Sequence, residues 1–353
     1  MLDRIDRLPE ARRVRALLAL CGVLPCVIGL GGQVALAQSP YVVRDVFIPL
    51  SGGSSGGDPG QIVTLGKRGY FAATTSQAGR ELWTTDGTAA GTYLVRDVYP
   101  GPSYSNIREL RSDGNRLCFI ANDGEHGDEV WVSDGTPDGP MMVMDIYEGS
   151  NGSDPSSLAW FDGKVYFSAN TASASPRLWS SDGTAVGTVQ ISPTSEPGMI
   201  GPRGMTVNGE RFFFFTFEGF WVSDGTNAGT TRLATVGPIE SSYFPGYLTS
   251  VGDRVFFAAG TEATGYELWT SDGTVLGTGM VTDLNPGSGN GLPGGTLQGT
   301  EFLDVDGIVY FQGDDGVNGS QLWRSDGTAG GTSIVRMIGP ASPRVCALRA
   351  VGE

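Results

Sequence analysis

Hydrophobic and polar residues alternate along most of this chain with the period of two that is typical of β-strands with one buried face. The segment 247–284 shows one unit of the pattern, which predicts four strands, named A to D, over Tyr247–Val251, Arg254–Ala259, Glu267–Ser271 and Gly279–Leu284. Between strands A and B, units two to six carry Asp-Gly, Asn-Gly or Gly-Asp. These pairs favour tight hairpins because they accept positive φ at little cost. The pattern therefore predicts four-stranded antiparallel meanders.

The unit occurs six times. Tryptophan recurs at spacings of 48, 48, 42, 48 and 54 residues, and after two further residues each Trp is followed by Asp-Gly-Thr. The repeated pairs are Trp83 and Asp86, Trp131 and Asp134, Trp179 and Asp182, Trp221 and Asp224, Trp269 and Asp272, and Trp323 and Asp326. One such unit cannot bury both of its faces alone, whereas radial stacking of units buries them. The sequence therefore predicts an all-β fold, a β-propeller of six or seven four-stranded blades.

The repeated Trp and Asp residues are interpreted as structural. Each Trp, on strand C, is predicted to pack between neighbouring blades, with stacking against a ligand as the alternative. Each Asp is predicted to accept hydrogen bonds from backbone amides of its own turn. A calcium role for these Asp residues stays open, although each turn has one carboxylate and Ca²⁺ takes about six to eight oxygen ligands. No cofactor is predicted.

Partial units flank the array. Val42–Val46 matches Leu94–Val98, and Leu348–Glu353 matches Leu248–Asp253. We therefore predict a leading D strand and a trailing A strand. Three arrangements stay open: a leading strand that closes the ring on the last blade, a truncated seventh blade, or a fragment of a longer array.

The signature resembles that of a bacterial repeat family named for its motif, the ELWxxDGT repeat. It reads Glu-Leu-Trp-Thr-Ser-Asp-Gly-Thr at 267–274, and the similarity covers residues 41–353. The resemblance implies an exported, often surface-associated protein and implies no biochemical activity. Three units depart from the pattern: unit two has Pro140 in place of a threonine, unit three has Arg-Leu-Trp, and unit four has Gly-Phe-Trp after a shortened loop.

The amino-terminal residues have the pattern of a secretory signal peptide. Five arginines lie within the first 15 residues, an apolar run spans Ala16–Leu30, and Ala35 and Ala37 form an A-x-A exit. The apolar run is short for a membrane span. We therefore predict a signal peptide over residues 1–37 and a β-propeller domain over residues 38–353. The predicted location is extracellular, cell-surface or periplasmic, with no membrane span after signal removal.

The net charge limits the classes of partner, and the cysteine content limits the possible disulfides. The net charge of the whole chain is −15, and no basic stripe interrupts this acidity, so nucleic acid is not a predicted partner. Cys118 and Cys346 remain after removal of the signal peptide. Cys118 stands in an apolar run and is interpreted as a buried thiol. Whether the two cysteines pair stays open.

The surface formed by the D-to-A and B-to-C loops, here called the loop face, carries most of the variation between units. Variable loops on a rigid scaffold are common recognition sites. The predicted binding residues are aromatic and ionisable side chains of these loops: Tyr104, Glu125, His126, Asp128, Tyr147, Tyr243, Phe244, Asp314 and Asp315. The predicted partner is a protein or a glycan at the cell surface.

The leading functional hypothesis is an exported, non-catalytic binding propeller. A purely structural surface repeat protein is the first alternative and predicts a polar, flat loop face. A carbohydrate-active enzyme is the second alternative and needs two carboxylates about 5–10 Å apart in an axial cleft. Triad chemistry would have to use His126, the only histidine, and no nucleotide-binding motif occurs.

Overall fold

A computed structural model describes residues 15–17, 57–172, 174–191, 199–217, 219–236, 248–292, 302–337 and 349–351. In this part of the chain, all regular structure is β-strand, arranged in six four-stranded antiparallel sheets and one two-stranded sheet. The chain is therefore all-β and consists of the blades of a β-propeller, as the repeat predicts. The strands are numbered along the chain from β1 (Arg15–Leu17). The fold divides into two compact units, residues 30–232 and residues 1–29 with 233–353, which are described in turn.

Residues 30–232 hold blades 1 to 4, except for the last two residues of the final strand of blade 4. In each blade the strands follow one another in the order A, B, C, D across the sheet, which is the predicted meander. The strands are β2 (Val63–Leu65), β3 (Arg68–Thr75), β4 (Gly79–Thr85) and β5 (Tyr93–Arg96) in blade 1; β6 (Arg108–Ser112), β7 (Leu117–Asn122), β8 (Asp128–Ser133) and β9 (Met141–Met142) in blade 2; β10 (Ser156–Phe161), β11 (Lys164–Thr171), β12 (Ala174–Ser181) and β13 (Val189–Gln190) in blade 3; and β14 (Arg203–Asn208), β15 (Arg211–Thr216), β16 (Gly219–Ser223) and β17 (Thr231–Ala234) in blade 4.

The other unit holds blades 5 and 6 and the two-stranded sheet. Its strands, after β1, are β18 (Thr249–Val251), β19 (Arg254–Thr261), β20 (Gly265–Ser271) and β21 (Gly279–Thr282) in blade 5; β22 (Leu303–Val305), β23 (Ile308–Asp314), β24 (Ser320–Ser325) and β25 (Ser333–Arg336) in blade 6; and β26 (Arg349–Val351). The predicted trailing A strand is thus a strand, β26, and it pairs antiparallel with β1. The predicted leading D strand, Val42–Val46, lies outside the described residues, as does most of the predicted signal peptide.

Blade 5 contains all four predicted strands, but the predicted B-to-C loop is too long. Strand β19 continues to Thr261 and β20 already begins at Gly265, because these two residues still pair across the hairpin. Strands A and D are shorter than predicted, because β18 begins at Thr249 and β21 ends at Thr282. The hairpin turn between strands A and B is as predicted: in blade 3, Asp162 and Gly163 both have positive φ, 45° and 70°.

Neighbouring blades within a unit share an apolar core. Strand C alternates its side chains, so the residue before each Trp and the Trp itself lie on opposite faces of the blade. In blades 2, 3, 4 and 6 the Trp packs toward the preceding blade, and in blades 1, 2, 3 and 5 the residue before the Trp packs toward the following blade. The pairs that share one core are Leu82 with Trp131, Val130 with Trp179, Leu178 with Trp221, and Leu268 with Trp323.

The A strands of consecutive blades lie side by side. Glu109 on strand A of blade 2 accepts hydrogen bonds from the backbone N–H groups of Ser157 (3.0 Å) and Leu158 (2.8 Å) on strand A of blade 3. The Ser157 hydroxyl in turn accepts the N–H of Gly204 on blade 4, at 3.2 Å. Glu109 and Ser157 both have positive φ where strand A bulges away from strand B. These bonds fix the spacing of the strands from which the D-to-A loops emerge.

The Asp-Gly-Thr turn is closed by its own side chains. In blade 4, Asp224 Oδ1 accepts the N–H (2.9 Å) and the hydroxyl (2.8 Å) of Thr226, whose Oγ1 accepts the N–H of Gly229 at 2.9 Å. Thr230 donates its hydroxyl to the Thr226 carbonyl and lies 2.7 Å from the Ser223 hydroxyl. The bonds from Thr226 lower the pKa of Asp224.

The same turn recurs in blades 1, 3, 5 and 6, at Asp86, Asp182, Asp272 and Asp326. Blade 2 departs at Pro140, which has no hydroxyl, and there the Gly139 N–H bonds the Thr136 carbonyl at 3.0 Å instead. The carboxylates of these turns therefore accept hydrogen bonds within their own turn.

Cys118 is fully buried between blades 2 and 3 and is not in a disulfide. Burial raises the pKa of its thiol. This agrees with the interpretation of Cys118 as a core residue, while Cys346 lies outside the described residues. A search of the described residues for a helix long and apolar enough to cross a bilayer finds none.

We predict that Phe119→Ala destabilises the protein strongly. Phe119 is fully buried in the core shared by blades 1 and 2. Its truncation removes buried surface and leaves a cavity, so the free energy of unfolding should fall by about 3–5 kcal/mol. Denaturant unfolding measures the loss, with Val186→Ala at an exposed turn as the control. A loss no larger than that of the control would contradict the packing described.

We predict a smaller loss for Asp224→Ala. Without the Asp224 carboxylate, the N–H and the hydroxyl of Thr226 lose the acceptor that they share. The free energy of unfolding should therefore fall by about 1 kcal/mol. Glu210→Ala, at the exposed A-to-B turn of the same blade, removes an equal charge and serves as the control. Equal stability of the two variants would show that the motif Asp does not stabilise its turn.

Candidate binding site on the loop face

A buried glutamate opens the strand-C signature in blades 1, 2 and 5. Glu81, Glu129 and Glu267 each have no exposed surface. Each reaches out of its own strand to the D-to-A loop that follows it. The sequence shows these residues only as the first letter of the repeated motif, and pattern reasoning assigned them no role.

The three glutamates bind their loops in the same way. In blade 1, Glu81 Oε2 accepts the N–H of Val98 (2.8 Å) and Oε1 accepts the N–H of Ser105 (3.0 Å). In blade 5, Glu267 accepts the N–H groups of Leu284 (2.8 Å) and Gly291 (2.7 Å). One carboxylate therefore ties down both ends of a loop.

In blade 2, Glu129 accepts the N–H (2.8 Å) and the hydroxyl (2.6 Å) of Ser153, together with a longer bond from the Tyr147 N–H (3.4 Å). Blade 6 has Gln321 at this position, whose Nε2 donates to the Asn318 carbonyl at 2.9 Å. Blade 3 has Arg177 and blade 4 has Gly219. The anchor is therefore a property of particular blades.

Burial raises the pKa of Glu81, Glu129 and Glu267 to about 7 in each case, although the hydrogen bonds from the loops oppose the shift. A neighbouring carboxylate raises each pKa further: Asp97, Asp145 and Asp283, respectively. These glutamates therefore take up protons near neutral pH.

The neighbouring aspartates shape the first turn of the same loops. One carboxylate oxygen of each accepts the N–H four residues ahead: Gly101 to Asp97 at 3.1 Å, Gly149 to Asp145 at 3.1 Å, and Gly287 to Asp283 at 3.4 Å. Among the described residues the second oxygen of each is buried without a hydrogen-bond partner. Together the Glu and Asp carboxylates hold each loop in one conformation.

Two predicted aromatic residues lie on these anchored loops. Tyr104 directly precedes Ser105, one of the residues bound by Glu81, and 62% of its surface is exposed. Tyr147 is half-buried, and its N–H points to Glu129. The structure therefore presents Tyr104 as the accessible aromatic group of the first loop and ties Tyr147 to the anchor of the second.

The B-to-C loop of blade 2 holds the only histidine. Asp123 Oδ1 accepts the N–H groups of Glu125 and His126, both at 2.9 Å, and its Oδ2 lies 2.7 Å from His126 Nδ1. This side-chain hydrogen bond raises the pKa of His126, although burial opposes it. Glu125 remains exposed. Asp123, which sequence reasoning did not select, therefore orients both predicted residues.

The loops of blades 1 and 2 meet directly. The ring of Tyr99, on the D-to-A loop of blade 1, lies against Gly124, where a Cβ would come within 2.8 Å of the ring. Gly124 also has φ of +89°, so this position needs glycine for both reasons. The contact brings the loop of Tyr104 beside the loop of Glu125 and His126.

The carboxylate of Asp128 is bound by neighbouring side chains. Its Oδ2 forms an ion pair with Arg108 and accepts a hydrogen bond from Asn106 Nδ2 at 3.1 Å. Arg108 also lies 3.3 Å from Asp154. Asp128 therefore links strand C to strand A and does not present a free carboxylate.

The other four predicted residues are in blade 6 or outside the described residues. In blade 6, Asp314 accepts the Gly316 N–H (2.8 Å), and Asp315 accepts bonds from Val317 and Asn318, so both carboxylates bind within their own turn. This loop belongs to the other compact unit. Tyr243 and Phe244 lie outside the described residues.

A metal site is not apparent in the described part of the chain, where no group of three or more His, Cys, Asp or Glu side chains converges. The carboxylates of the turns and loops instead accept hydrogen bonds from backbone N–H groups. A calcium role for the motif Asp residues stays open.

Comparison with known proteins gives structural neighbours only. No protein-family model and no curated protein sequence matches the chain. The chain is similar to oligopeptidase B from Leishmania major (11% identity, 80% of this chain and 42% of that chain, TM-score 0.49). It is also similar to TolB from Acinetobacter baumannii (14% identity, 75% and 62%, TM-score 0.39) and to the β-propeller domain of the Trilobed protease from Pyrococcus furiosus (12% identity, 83% and 94%, TM-score 0.42).

The chain spans 42% of oligopeptidase B and 62% of TolB. At these identities and TM-scores the neighbours say nothing about activity. The assignment to the β-propeller class rests on the six four-stranded sheets themselves.

We predict that the stability of the protein falls as the pH rises from 5 to 8.5. A Glu whose pKa rises from its ordinary value of 4.5 to about 7 on folding binds more protons in the folded state, so its stabilisation is lost as the pH passes through 7. The triple variant Glu81→Gln, Glu129→Gln, Glu267→Gln should reduce this pH dependence by more than about half.

Thermal unfolding at a series of pH values measures this effect, with Glu125→Gln on the exposed part of a loop as the control. His126, whose pKa is also raised, contributes a residual dependence of the same sign. An unchanged pH profile in the triple variant would exclude the three glutamates as its source.

Proposed function

We propose that this protein is an exported, non-catalytic binding propeller that recognises a protein or glycan outside the cytoplasm through its loop face. One observation carries the proposal. Tyr104, with 62% of its surface exposed, lies on a loop in which the N–H groups of Val98 and Ser105 are both bound by the buried Glu81. Tyrosine is enriched among the residues that dominate binding energies, and a fixed loop presents this ring ready for contact.

The anchoring of the loop supports recognition. A loop that is already ordered loses little conformational entropy when a ligand binds, so more of the contact energy remains as affinity. Tyrosine suits such a position because its ring contributes contact area and its hydroxyl a hydrogen bond. Glu125 and His126, on the adjoining loop of blade 2, add charged and hydrogen-bonding groups at the edge of the same surface.

Export and the absence of catalysis are parts of the proposal that rest on the sequence. The amino-terminal residues carry the signal-peptide pattern, and the motif resembles that of an exported repeat family. The only histidine, His126, is bonded to Asp123 within its own turn, and this bond gives it a structural role. The alternative is a purely structural surface repeat protein, and the binding experiment must distinguish it from a binding propeller.

We predict that Tyr104→Ala weakens binding by about tenfold or more, as is typical of a central aromatic contact. The purified protein, labelled with a fluorophore, is applied to a glycan array and to whole cells, and bound fluorescence is measured against protein concentration. Tyr93→Ala, on the outer D strand of the same blade, is the matched control. Binding that does not change with Tyr104→Ala would move the site away from this loop, and no binding to any glycan or cell would favour the structural alternative.

A further inference from the structure

The A-to-B and C-to-D turns, at the other end of the blades from the loop face, form a second surface, here called the turn face. A cavity of about 400 Å³ opens there between the C-to-D turns of blades 2 and 3. Its lining includes Ser133, Asp134, Asp138 and Met141 of blade 2 and Asp182 of blade 3. The cavity therefore lies beside the irregular turn of the array, the one that contains Pro140.

The irregular turn leaves the hydroxyl of Ser133 without an acceptor. In blade 4, Ser223 lies 2.7 Å from Thr230, and Thr230 donates its own proton to a backbone carbonyl of the turn, so Ser223 is the donor of the pair. Blade 2 has Pro140 in place of this threonine. The Ser133 side chain is 2% exposed and, among the described residues, is hydrogen-bonded only to the N–H of Gly135. A buried donor without an acceptor is costly, and a ligand oxygen would relieve that cost.

The motif carboxylate of blade 2 also has a different orientation. In the other five blades a Cβ on the glycine five positions after the motif Asp would come within 2.3 Å of both carboxylate oxygens. At Gly139 only Oδ1 of Asp134 comes so close, at 2.0 Å, and Oγ of Ser133 is 3.0 Å away. Oδ2 of Asp134 therefore faces away from the glycine, and the Ser133 hydroxyl lies beside the same carboxylate.

Asp134 lacks the cation that the other motif aspartates have. Hydrogen bonds from the motif Thr and, more weakly, an arginine or lysine lower the pKa of each of those five residues. For Asp134 only the hydrogen bonds from its turn lower the pKa. In blade 1 the cation is Arg68, 3.9 Å from Asp86. The equivalent residue of blade 2, Arg116, instead reaches blade 3, where it donates to the Asp182 carbonyl at 2.8 Å.

Two carboxylates at the cavity have no cation to balance them. Asp134 and Asp138 are exposed, and neither forms an ion pair with another described residue. Arg116, which also lines the cavity, lies 3.7 Å from Asp113 and donates to two backbone carbonyls. The motif Asp of blade 3 lies near Lys164. The positive groups therefore each have a carboxylate of their own, and the cavity keeps an excess of negative charge that attracts a cation.

We propose that this cavity binds the free amino terminus of a polypeptide. The ammonium group of the first residue binds Oδ2 of Asp134, and the first carbonyl oxygen accepts the hydroxyl of Ser133. The first side chain packs on Met141, which is 56% exposed at the cavity. The ligand thus supplies a positive charge and an acceptor close together, the two groups that blade 2 lacks. The site is on the turn face, so this inference goes beyond the proposed function and does not depend on it.

Other cations match the cavity less well. The ring of an amino sugar would pack best on an aromatic side chain, and the described residues that line the cavity include none. A lysine side chain has no acceptor beside its ammonium group for the Ser133 hydroxyl. A free amino acid would bring its own carboxylate near Asp134 and Asp138, where like charges repel. The amino terminus of a chain avoids all three disadvantages.

The test is isothermal titration of the purified protein with the tripeptide amide Leu-Ala-Ala and, as the matched probe, the same peptide with its amino terminus acetylated. We expect the free peptide to bind and the acetylated peptide to bind at least about tenfold more weakly, because acetylation removes the positive charge. Tyr104→Ala, on the loop face, should leave binding of the free peptide unchanged.

Variants of the two blade 2 groups locate the site. Asp134→Asn keeps an oxygen for the bonds from Thr136 but loses the charge, and it should weaken binding of the free peptide by about tenfold or more. Ser133→Ala should weaken it by about threefold or more. Asp86→Asn, at the same turn position in blade 1, is the matched control and should change the affinity by less than about twofold.

Equal binding of the free and acetylated peptides, no binding of either, or full affinity in both Asp134→Asn and Ser133→Ala would overturn the proposal. An acetylated peptide with an internal lysine that binds as tightly as the free peptide would overturn it in favour of a basic side chain. Glucosamine that binds as tightly would overturn it in favour of an amino sugar. Circular dichroism checks folding, and if Asp134→Asn unfolds, Asp138→Asn, at an exposed position of the same turn, must weaken binding.

Discussion

The packing of strand C between two neighbours is the constraint on which the rest of the structure depends. A four-stranded blade has two apolar faces, and strand C supplies a large residue to each of them: Trp131 packs toward blade 1 and Val130 toward blade 3. Neither face is buried unless a blade stands on both sides. The spacing of the blades, the position of the loops and the burial of the motif glutamates all follow from this alternation.

The buried glutamates convert that packing into a fixed surface. Glu129 begins the same strand that holds Trp131, so the core that positions the tryptophan also positions the carboxylate and, through it, the D-to-A loop. Blades that carry this glutamate present anchored loops, whereas blade 3 presents Arg177 and blade 4 has a glycine. A nearly identical repeat thereby gives a loop face whose chemistry differs from blade to blade.

Most of the fold could be predicted from the sequence, because period-two alternation and a fixed repeat are local signals. The six blades, the meander order and the A-to-B turns such as Asp162-Gly163 follow from them. Strand ends in blade 5 were wrong by a few residues, since pairing of Thr261 with Gly265 is decided across the hairpin.

The candidate site was less accessible to pattern reasoning. Tyr104 could be selected as a loop aromatic, but the engagement of Asp128 by Arg108 depends on contacts between strands that spacing does not reveal. Glu81 was not selected, because a residue type that recurs in several units gives no information about its burial.

The Asp-Gly-Thr turn has a consequence for how such a protein can change over evolutionary time. The side-chain hydrogen bonds from the motif Asp, Thr and Ser residues that close the turn run between residues at most seven positions apart, from Ser223 to Thr230 in blade 4. A duplicated or exchanged unit therefore brings these bonds with it. Selection can then act on the opposite end of each blade, where loop lengths vary, while the inherited turn keeps the copied unit foldable from the start.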